Sequence, residues 1–439
     1  MFHSRPSSTR PLSLAFLTAL LISGCSQSRP EAPELPVKNI GDTVGMGDSV
    51  PKRPPVARID GASMAPTFAG DHFLVDCSRC RNSYRMDAEQ ALSESCCPLC
   101  GKIDAIPQNP KRYRGDRVKI QSLETTSEIQ RWDVIAFRNG QQHSIKRVLG
   151  LPGELIEFDQ GDLLVGGHRT PKPEASLNAM QQLVFDSRHS RPEQWLSNKP
   201  GLTFPITCSG NWTIEHRNFA NYLSTIRHAR VEDIKDFHGY NQTHSRSLNR
   251  CDDLICELEI ENLSEQPAGL HLVAQLETEK YGRVSFGFRQ EGAELWQVIR
   301  QNGRVLIDSS SEIKGGSQAA FLSFGLLDGW ARTSCQTGGE TPESKRGKLN
   351  VRHSRKLSDP DFITQKIRLE CTGKCGARLN RWKIHRDIHY FASRTDASFQ
   401  LGADEYFVVG DNVPLSKDSR NSPLRPKKNG ILGIVSPLD

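Results

Sequence analysis

A serine and a lysine in this chain have surroundings that suit acyl transfer. Ser63 lies in the segment 61–68, and Lys146 lies in the segment 145–154. A serine hydroxyl is a weak nucleophile until a positioned base takes its proton. A lysine amine can be that base only when neutral, and burial among apolar groups lowers its pKa. Ile145, Val148 and Leu149 provide apolar neighbours and no acidic residue adjoins Lys146, so the pair predicts a serine nucleophile with a lysine base. Arg147, if close in space, would further disfavour a charged lysine.

Five short segments in one order resemble the signature segments of the type I signal peptidases, which are Ser-Lys serine proteases of the S26 type. The segments are 61–68, 70–75, 131–135, 145–154 and 410–420. The resemblance covers residues 58–76, 102–170 and 395–439. It implies an antiparallel β catalytic domain and a serine endopeptidase that removes signal peptides from exported precursor proteins, with no cofactor for catalysis.

The resemblance also implies roles for individual residues. Ser63 is the nucleophile and Lys146 the general base. Ser416 hydrogen-bonds the lysine amine and orients it, while Asp418 and Arg420 form an ion pair that supports the turn around them.

The backbone N–H of Ser63 would form the oxyanion hole. Some family members add a hydroxyl two residues earlier, but Gly61 stands there in this chain. Met64 and Pro66 would shape the pocket for small substrate residues, and core packing is the alternative for Met64.

Four cysteines have the spacing of a zinc ribbon. Cys77 and Cys80 form one Cys-x-x-Cys pair, and Cys97 and Cys100 form another. Four thiolates suit a structural tetrahedral Zn²⁺ with no open position for catalysis. Two alternatives remain at this point: two disulfides in an exported protein, and Cys96 in place of Cys97.

The N-terminus has the pattern of an export signal. Arg5 and Arg10 precede a short apolar run that ends at Ser23-Gly24-Cys25. The run is too short to span ~30 Å of hydrocarbon as a helix. Its ending resembles a bacterial lipobox with Cys25 as the lipidated residue. This predicts attachment to membrane lipid on the extracytoplasmic, periplasmic side of a bacterial cell membrane, with an uncleaved short anchor as the alternative.

The distribution of strand-like segments and turn residues along the 439 residues predicts a mainly β protein with inserted regions. We expect a signal segment at 1–25, a Pro/Gly-rich linker at 26–57 and the two halves of a protease domain at 58–171 and 393–439. A zinc-ribbon-like insertion occupies 77–101. Strand candidates with turn signals, including Asn302-Gly303, predict a β-sandwich-like insert at 172–392.

The insert offers further polar and sulfur-containing side chains without a predicted role. Its six cysteines allow fifteen disulfide pairings. Four of its histidines, His238, His244, His385 and His389, are assigned to the surface or to packing. The binding partner of the insert is not predicted.

Composition and motif order argue against other classes. The net charge of +6 is spread along the chain, whereas nucleic-acid-binding proteins concentrate it, so no nucleic-acid partner is expected. Self-cleavage like that of the Ser-Lys SOS repressors is disfavoured by the export signal. A catalytically silent binding protein is disfavoured by the intact Ser63, Lys146 and Ser416.

One departure from the family is the segment 421–426. It is expected to displace the last strand of the protease domain, which follows it.

Overall fold

The computed structural model describes residues 56–90, 92–123, 128–190, 194–216, 233–242, 248–261, 269–312, 319–337, 342–352, 365–372, 374–392 and 397–438. The predicted signal segment with Cys25, and all of the linker except 56–57, lie outside these ranges. So does His244. Among the described residues the fold is mainly β, as predicted, and no helix there is long and apolar enough to cross a membrane.

Twelve short strands precede the insert. They are β1 (Val56–Arg58), β2 (His72–Asp76), β3 (Ser83–Asp87), β4 (Glu94–Cys96), β5 (Ile103–Ala105), β6 (Arg112–Tyr113), β7 (Arg117–Gln121), β8 (Val134–Asn139), β9 (Gln142–Gly150), β10 (Leu155–Asp159), β11 (Asp162–Val165) and β12 (His168–Arg169). Since β1 begins at Val56, the last two residues of the predicted linker are strand residues.

Within the described part of the chain, the predicted insert contributes one α-helix and the longest strands. They are α1 (Glu174–Met180), β13 (Gln182–Asp186), β14 (Trp195–Ser197), β15 (Ile206–Ser209), β16 (Trp212–His216), β17 (Leu254–Glu261), β18 (His271–Thr278), β19 (Gly282–Glu291), β20 (Glu294–Gln301), β21 (Arg304–Glu312), β22 (Ala319–Leu327), β23 (Trp330–Thr337), β24 (Glu343–Lys348), β25 (Lys366–Cys371) and β26 (Lys374–Arg386). The strands after it are β27 (Phe399–Gln400), β28 (Phe407–Val409) and β29 (Ile431–Pro437).

A six-stranded antiparallel sheet takes strands from both sides of the insert. Its order is β1-β7-β29-β8-β9-β28. β29 lies between β7 and β8, pairing Val435 with Ile120 and Ile434 with Ile135. The closing strand thus reaches the centre of the sheet in spite of the unusual segment 421–426 before it. A second sheet of order β12-β11-β10-β27 also combines residues from both sides.

Two seven-stranded sheets of the insert share one hydrophobic core. One has the order β13-β26-β17-β22-β23-β24 with β15 against β26, and the other has the order β14-β16-β25-β18-β19-β20-β21. Alternate residues of these strands are buried, as a half-buried strand requires. Buried side chains of both sheets, among them Phe286, Phe324 and Trp382, form a single cluster.

The predicted hairpin around Asn302-Gly303 is confirmed. Gln301 pairs with Arg304 across the two-residue turn, and both turn residues have positive φ, 47° and 87°. These angles are typical of a type I′ turn, which matches the twist of the flanking strands.

Buried ion pairs join the two ends of the insert to each other and its middle to the four-stranded sheet. Lys172 lies 2.7 Å from Asp328 and 2.6 Å from Asp387, which directly follows β26. Lys280 lies 2.6 Å from Asp162 of β11 and 2.9 Å from Asp253. Each buried carboxylate in this group therefore has a cation as partner, which buried charges require.

Candidate active site

The predicted nucleophile and base are adjacent in the structure. Ser63 lies in a single 3-10 turn, Ala62–Met64, and Lys146 lies in β9, opposite Ile135 of β8. Nζ of Lys146 is 2.6 Å from Oγ of Ser63, a hydrogen-bond distance. The turn presents the hydroxyl and the strand fixes the amine, so the geometry suits direct proton transfer between them.

The surroundings of Lys146 favour its neutral form. The residue is only 6% exposed, and burial lowers the pKa of its amine. The carboxylates of Asp418 and Asp411 oppose this effect, and the guanidinium of Arg420 adds to it. Because burial is the largest contribution, the amine is held closer to the state that can accept the serine proton.

Arg147 does not act on Lys146 in the way that its neighbouring position suggests. Its guanidinium forms a two-pronged pair with Asp411, with Nε 2.8 Å from Oδ1 and a terminal nitrogen 2.6 Å from Oδ2. Both side chains are buried, so Asp411 compensates the charge of Arg147. Arg420 is the cation that lowers the pKa of the lysine, and Arg147 instead joins β9 to the segment 410–420.

Asp418 and Arg420 lie together, buried, under this segment. The carboxylate of Asp418 accepts hydrogen bonds from Nε of Arg420 at 2.9 Å and from the amide of Gly410 at 3.0 Å. Arg420 also donates to the carbonyl of Val413 at 2.8 Å. The pair thus binds both ends of the turn that follows β28.

The predicted hydrogen bond from Ser416 to the lysine is absent. Oγ of Ser416 is buried and makes no hydrogen bond among the described residues. It lies against Gly410, where an added Cβ would be only 2.4 Å away. Since the amine is directed at Ser63, Ser416 is a neighbour of the pair in this structure but not a bonded partner.

Met64 and Pro66 occupy different environments. Met64 is 1% exposed and packs in a hydrophobic cluster with Ile59, Phe68 and Val118. It is therefore a core residue in this structure and not a wall of an open pocket, because its side chain does not reach the surface. Pro66 is half-buried and lies two residues after the end of the 3-10 turn.

Gly61 leaves open space beside the nucleophile. It precedes the 3-10 turn with φ −99° and ψ 162°, an extended conformation open to any residue. An ideal Cβ at this position meets no atom within 4 Å. The N–H of Ser63 thus remains the candidate oxyanion donor on this side without help from a side chain.

Asn412 contacts the nucleophile turn directly, a role that sequence reasoning missed. Its backbone N–H donates to the carbonyl of Ser63 at 3.0 Å, and its side-chain amide donates to the carbonyl of Ala62 at 2.9 Å. The Gly410-Asp411-Asn412 run was the available signal, although its commonest meaning is an ordinary turn.

The four predicted cysteine ligands come together. Sγ atoms of Cys77, Cys80, Cys97 and Cys100 all lie within 4.8 Å of one another, and all four residues are buried. The Cys77–Cys100 and Cys80–Cys97 distances are 3.5 and 3.6 Å. Four sulfurs ~2.3 Å from a tetrahedral Zn²⁺ lie ~3.8 Å apart, so this set fits the ion. A disulfide needs ~2.05 Å, so these distances do not correspond to disulfides.

Two knuckle turns give the cysteine pairs their geometry. The amide of Arg81 donates to Cys77 and the amide of Gly101 donates to Cys97, each at 2.9 Å. Arg81 and Gly101 both have positive φ, 59° and 65°. The cluster includes Cys97 and not Cys96, whose side chain packs with Phe237.

The other described cysteines of the insert, Cys208, Cys251, Cys256, Cys335 and Cys371, are buried. The side chain of Cys375 lies outside the described part. Of the four insert histidines named above, His238, His385 and His389 lie in the described part, and desolvation by burial lowers the pKa of His389 to about 4.

Residues 55–205 match the family described as signal peptidase, peptidase S26. Signal peptidase I V of Bacillus subtilis (strain 168) is 32% identical over 75 residues, 16% of this chain and 44% of that protein. Signal peptidase I of Bacillus amyloliquefaciens is 21% identical over 77 residues, 17% of this chain and 42% of that protein. The chain thus spans less than half the length of these curated relatives.

Solved structures resemble this chain only weakly. Peanut lectin with a 9mer peptide is 6% identical, covering 44% of this chain and 92% of its own, with a TM-score of 0.27. Sheep galectin-11 in complex with glycerol is 13% identical, covering 30% of this chain and 89% of its own, with a TM-score of 0.19. Likenesses of this size carry no argument about fold or function.

Proposed function

We propose that this protein is a membrane-attached serine endopeptidase that removes signal peptides from exported precursor proteins. The observation that carries the proposal is the 2.6 Å approach of Lys146 Nζ to Ser63 Oγ. It occurs at a buried lysine whose pKa is lowered. Both residues lie within the stretch 55–205 that matches the signal peptidase family.

The arrangement suits a two-step acyl transfer. Neutral Lys146 takes the proton of Ser63 while Oγ attacks the scissile carbonyl, and the N–H of Ser63 stabilises the oxyanion. The lysine ammonium then gives its proton to the departing amine of the mature protein, leaving the signal peptide esterified to Ser63. Water attacks this ester with the lysine again as base, which releases the signal peptide and restores the serine hydroxyl.

The residues around the pair have supporting roles in this proposal. Asp418 with Arg420, and Arg147 with Asp411, hold the segment 410–420 against β9. Ser416 remains a candidate orienter, because its hydroxyl is without a hydrogen bond among the described residues and can accept one from the ammonium formed during the reaction. Pro66 and the open space beside Gly61 are the candidate boundary of the substrate pocket.

Attachment and metal content are further parts of the proposal. Cys25 is the proposed lipidation site, which would keep the protein at the extracytoplasmic face of the membrane. Cys77, Cys80, Cys97 and Cys100 would hold a structural zinc ion, while catalysis itself needs no cofactor.

Cleavage of a signal-peptide-bearing precursor in lipid vesicles tests the proposal. We expect the wild-type chain to release the signal peptide and Ser63→Ala and Lys146→Ala to abolish release. Ser323→Ala, in β22 of the insert, is the matched serine control and should cleave normally. A serine-directed acylating inhibitor should add its mass to the peptide that contains Ser63 in the wild-type protein alone.

Two outcomes would contradict the proposal. Cleavage that survives Ser63→Ala would exclude the serine as nucleophile. A wild-type protein that neither cleaves nor becomes acylated would instead favour the catalytically silent binding protein.

A further inference from the structure

The insert reaches the nucleophile turn through a pair of side-chain amides. Nδ2 of Asn412 donates to Oδ1 of Asn241 at 2.8 Å, and Nδ2 of Asn241 donates to Oδ1 of Asn412 at 2.5 Å. Asn241 is 1% exposed and Asn412 is fully buried. Each amide is thus fixed by the other, and Asn241 lies outside the stretch 55–205 that matches the signal peptidase family.

The amide pair controls the direction of one peptide group. Asn412 uses its side-chain N–H₂ for both Asn241 and the carbonyl of Ala62. That carbonyl and the N–H of Ser63 belong to the same planar trans peptide unit, so they point in opposite directions. Holding the carbonyl of Ala62 therefore also fixes the N–H of Ser63, which is the proposed oxyanion donor.

Asn241 is itself held between two anchored neighbours. The carbonyl of Tyr240 accepts a hydrogen bond from the amide of Asp87 at 3.1 Å. The ring of Tyr240 packs against Ala65 and Ala69. The side chain of Gln242 accepts the amide of Cys96 at 2.7 Å and donates to its carbonyl at 3.1 Å. The segment 240–242 is therefore fixed on the ends of β3 and β4 and presents Asn241 to the nucleophile turn.

We propose that Asn241 is a positioning residue of the peptidase reaction. It holds Asn412 in the orientation that aims the N–H of Ser63 at the developing oxyanion. The proposal rests on the proposed function and adds a contribution of the insert to it. It assigns the insert a part in catalysis without any contact between Asn241 and the reacting atoms.

Steady-state kinetics of Asn241→Ala on a quenched-fluorescence peptide with alanine before the scissile bond tests this role. We expect kcat to fall about tenfold, part of the loss that follows removal of a whole oxyanion donor. KM should stay unchanged, because the residue does not face the substrate. In an Asn412→Ala background the same change should have no additional effect, since Asn241 acts through Asn412.

Gln297→Ala is the matched control. Gln297 is a fully buried amide of the insert that accepts a hydrogen bond from Thr333 and donates one to Ser311. This variant should lower the melting temperature and leave kcat unchanged. Asn241→Leu, which keeps the side-chain volume, replaces the alanine variant if that variant does not fold.

The outcomes separate the two proposals. Wild-type protein without Ser63-dependent cleavage contradicts the proposed function. If the wild-type protein is active, an Asn241 variant with unchanged kcat contradicts the positioning role alone. So does a loss of kcat that adds fully to the loss caused by Asn412→Ala.

Discussion

Asp418 and Arg420 form a buried ion pair, with Nε of the arginine 2.9 Å from one carboxylate oxygen and a terminal nitrogen 2.8 Å from the other. Asp418 is fully buried and Arg420 is 7% exposed. Because neither charge reaches water freely, each depends on the other for compensation. The pair also lies close enough to Lys146 that both charges influence the lysine amine.

Replacement of Asp418 by alanine should destabilise the fold strongly. The substitution leaves the guanidinium of Arg420 buried without its carboxylate, which costs about 3–5 kcal/mol in the free energy of unfolding. Urea unfolding followed by tryptophan fluorescence measures the change. Asp404→Ala is the control, because Asp404 forms an exposed pair with Lys427 and such pairs contribute about 0–1 kcal/mol. Equal losses in the two variants would contradict the buried-pair argument.

The pH dependence of acylation should report the pKa of Lys146. The rate rises with pH as the amine loses its proton and levels off above its pKa. Burial lowers that pKa, so the acidic limb should lie below the value of about 10.4 of an ordinary lysine. Stopped-flow measurement of kcat/KM across pH locates the limb. An acidic limb at the pKa of an ordinary lysine would mean that Lys146 is not the base or that its amine is solvated during the reaction.

Gly61→Ser should increase kcat. The open space at Gly61 and its extended backbone admit a side chain without strain, and a hydroxyl there can act as a second oxyanion donor. We expect an increase of up to about tenfold, below the full effect of a native donor. Gly61→Ala, which adds the Cβ without the hydroxyl, is the control and should leave kcat near the wild-type value. An equal increase in both variants would point to backbone stiffening.

Removal of metal should reduce both stability and kcat. The purified protein is expected to contain about one zinc ion per chain, bound by the four clustered thiolates. Cys97→Ser should lose the ion, whereas Cys96→Ser should keep it, because Cys96 lies outside the cluster. Elemental analysis by mass spectrometry together with kcat tests this. Loss of metal without any change in kcat would show that the four-cysteine cluster does not support the segment 240–242.

The local sequence indicated the candidate nucleophile and base but not the residues that contact the turn around them. Ser63 and Lys146 stand in short segments whose neighbours favour their proposed chemistry, so both could be selected as candidates from the sequence. The bond between Asn241 and Asn412 joins positions 171 residues apart and depends on how the insert docks, which no local pattern encodes. The position of Met64 could not be predicted for a different reason. An apolar residue beside a candidate nucleophile suits a substrate pocket and a hydrophobic core equally well.

Short elements were also beyond sequence reasoning. The helix Glu174–Met180 has only seven residues and buries Leu177 and Met180, a spacing too brief to establish a helical period. The longer strands of the insert, such as β17 and β18, were easier to predict because their alternation of apolar and polar residues extends over eight positions.

The ion pair between Lys172 and Asp387 has a consequence for the order of folding. The six-stranded sheet needs β29 at its centre, so it closes only after the chain has passed through the whole insert. Loop closure of that length carries an entropic penalty that grows with the logarithm of the number of residues. Once the insert has folded and Lys172 has paired with Asp387, the two ends of the insert are adjacent. The remaining loop closure then resembles that of a short loop. We therefore expect the insert to be the first folding unit and the six-stranded sheet to assemble on it afterwards.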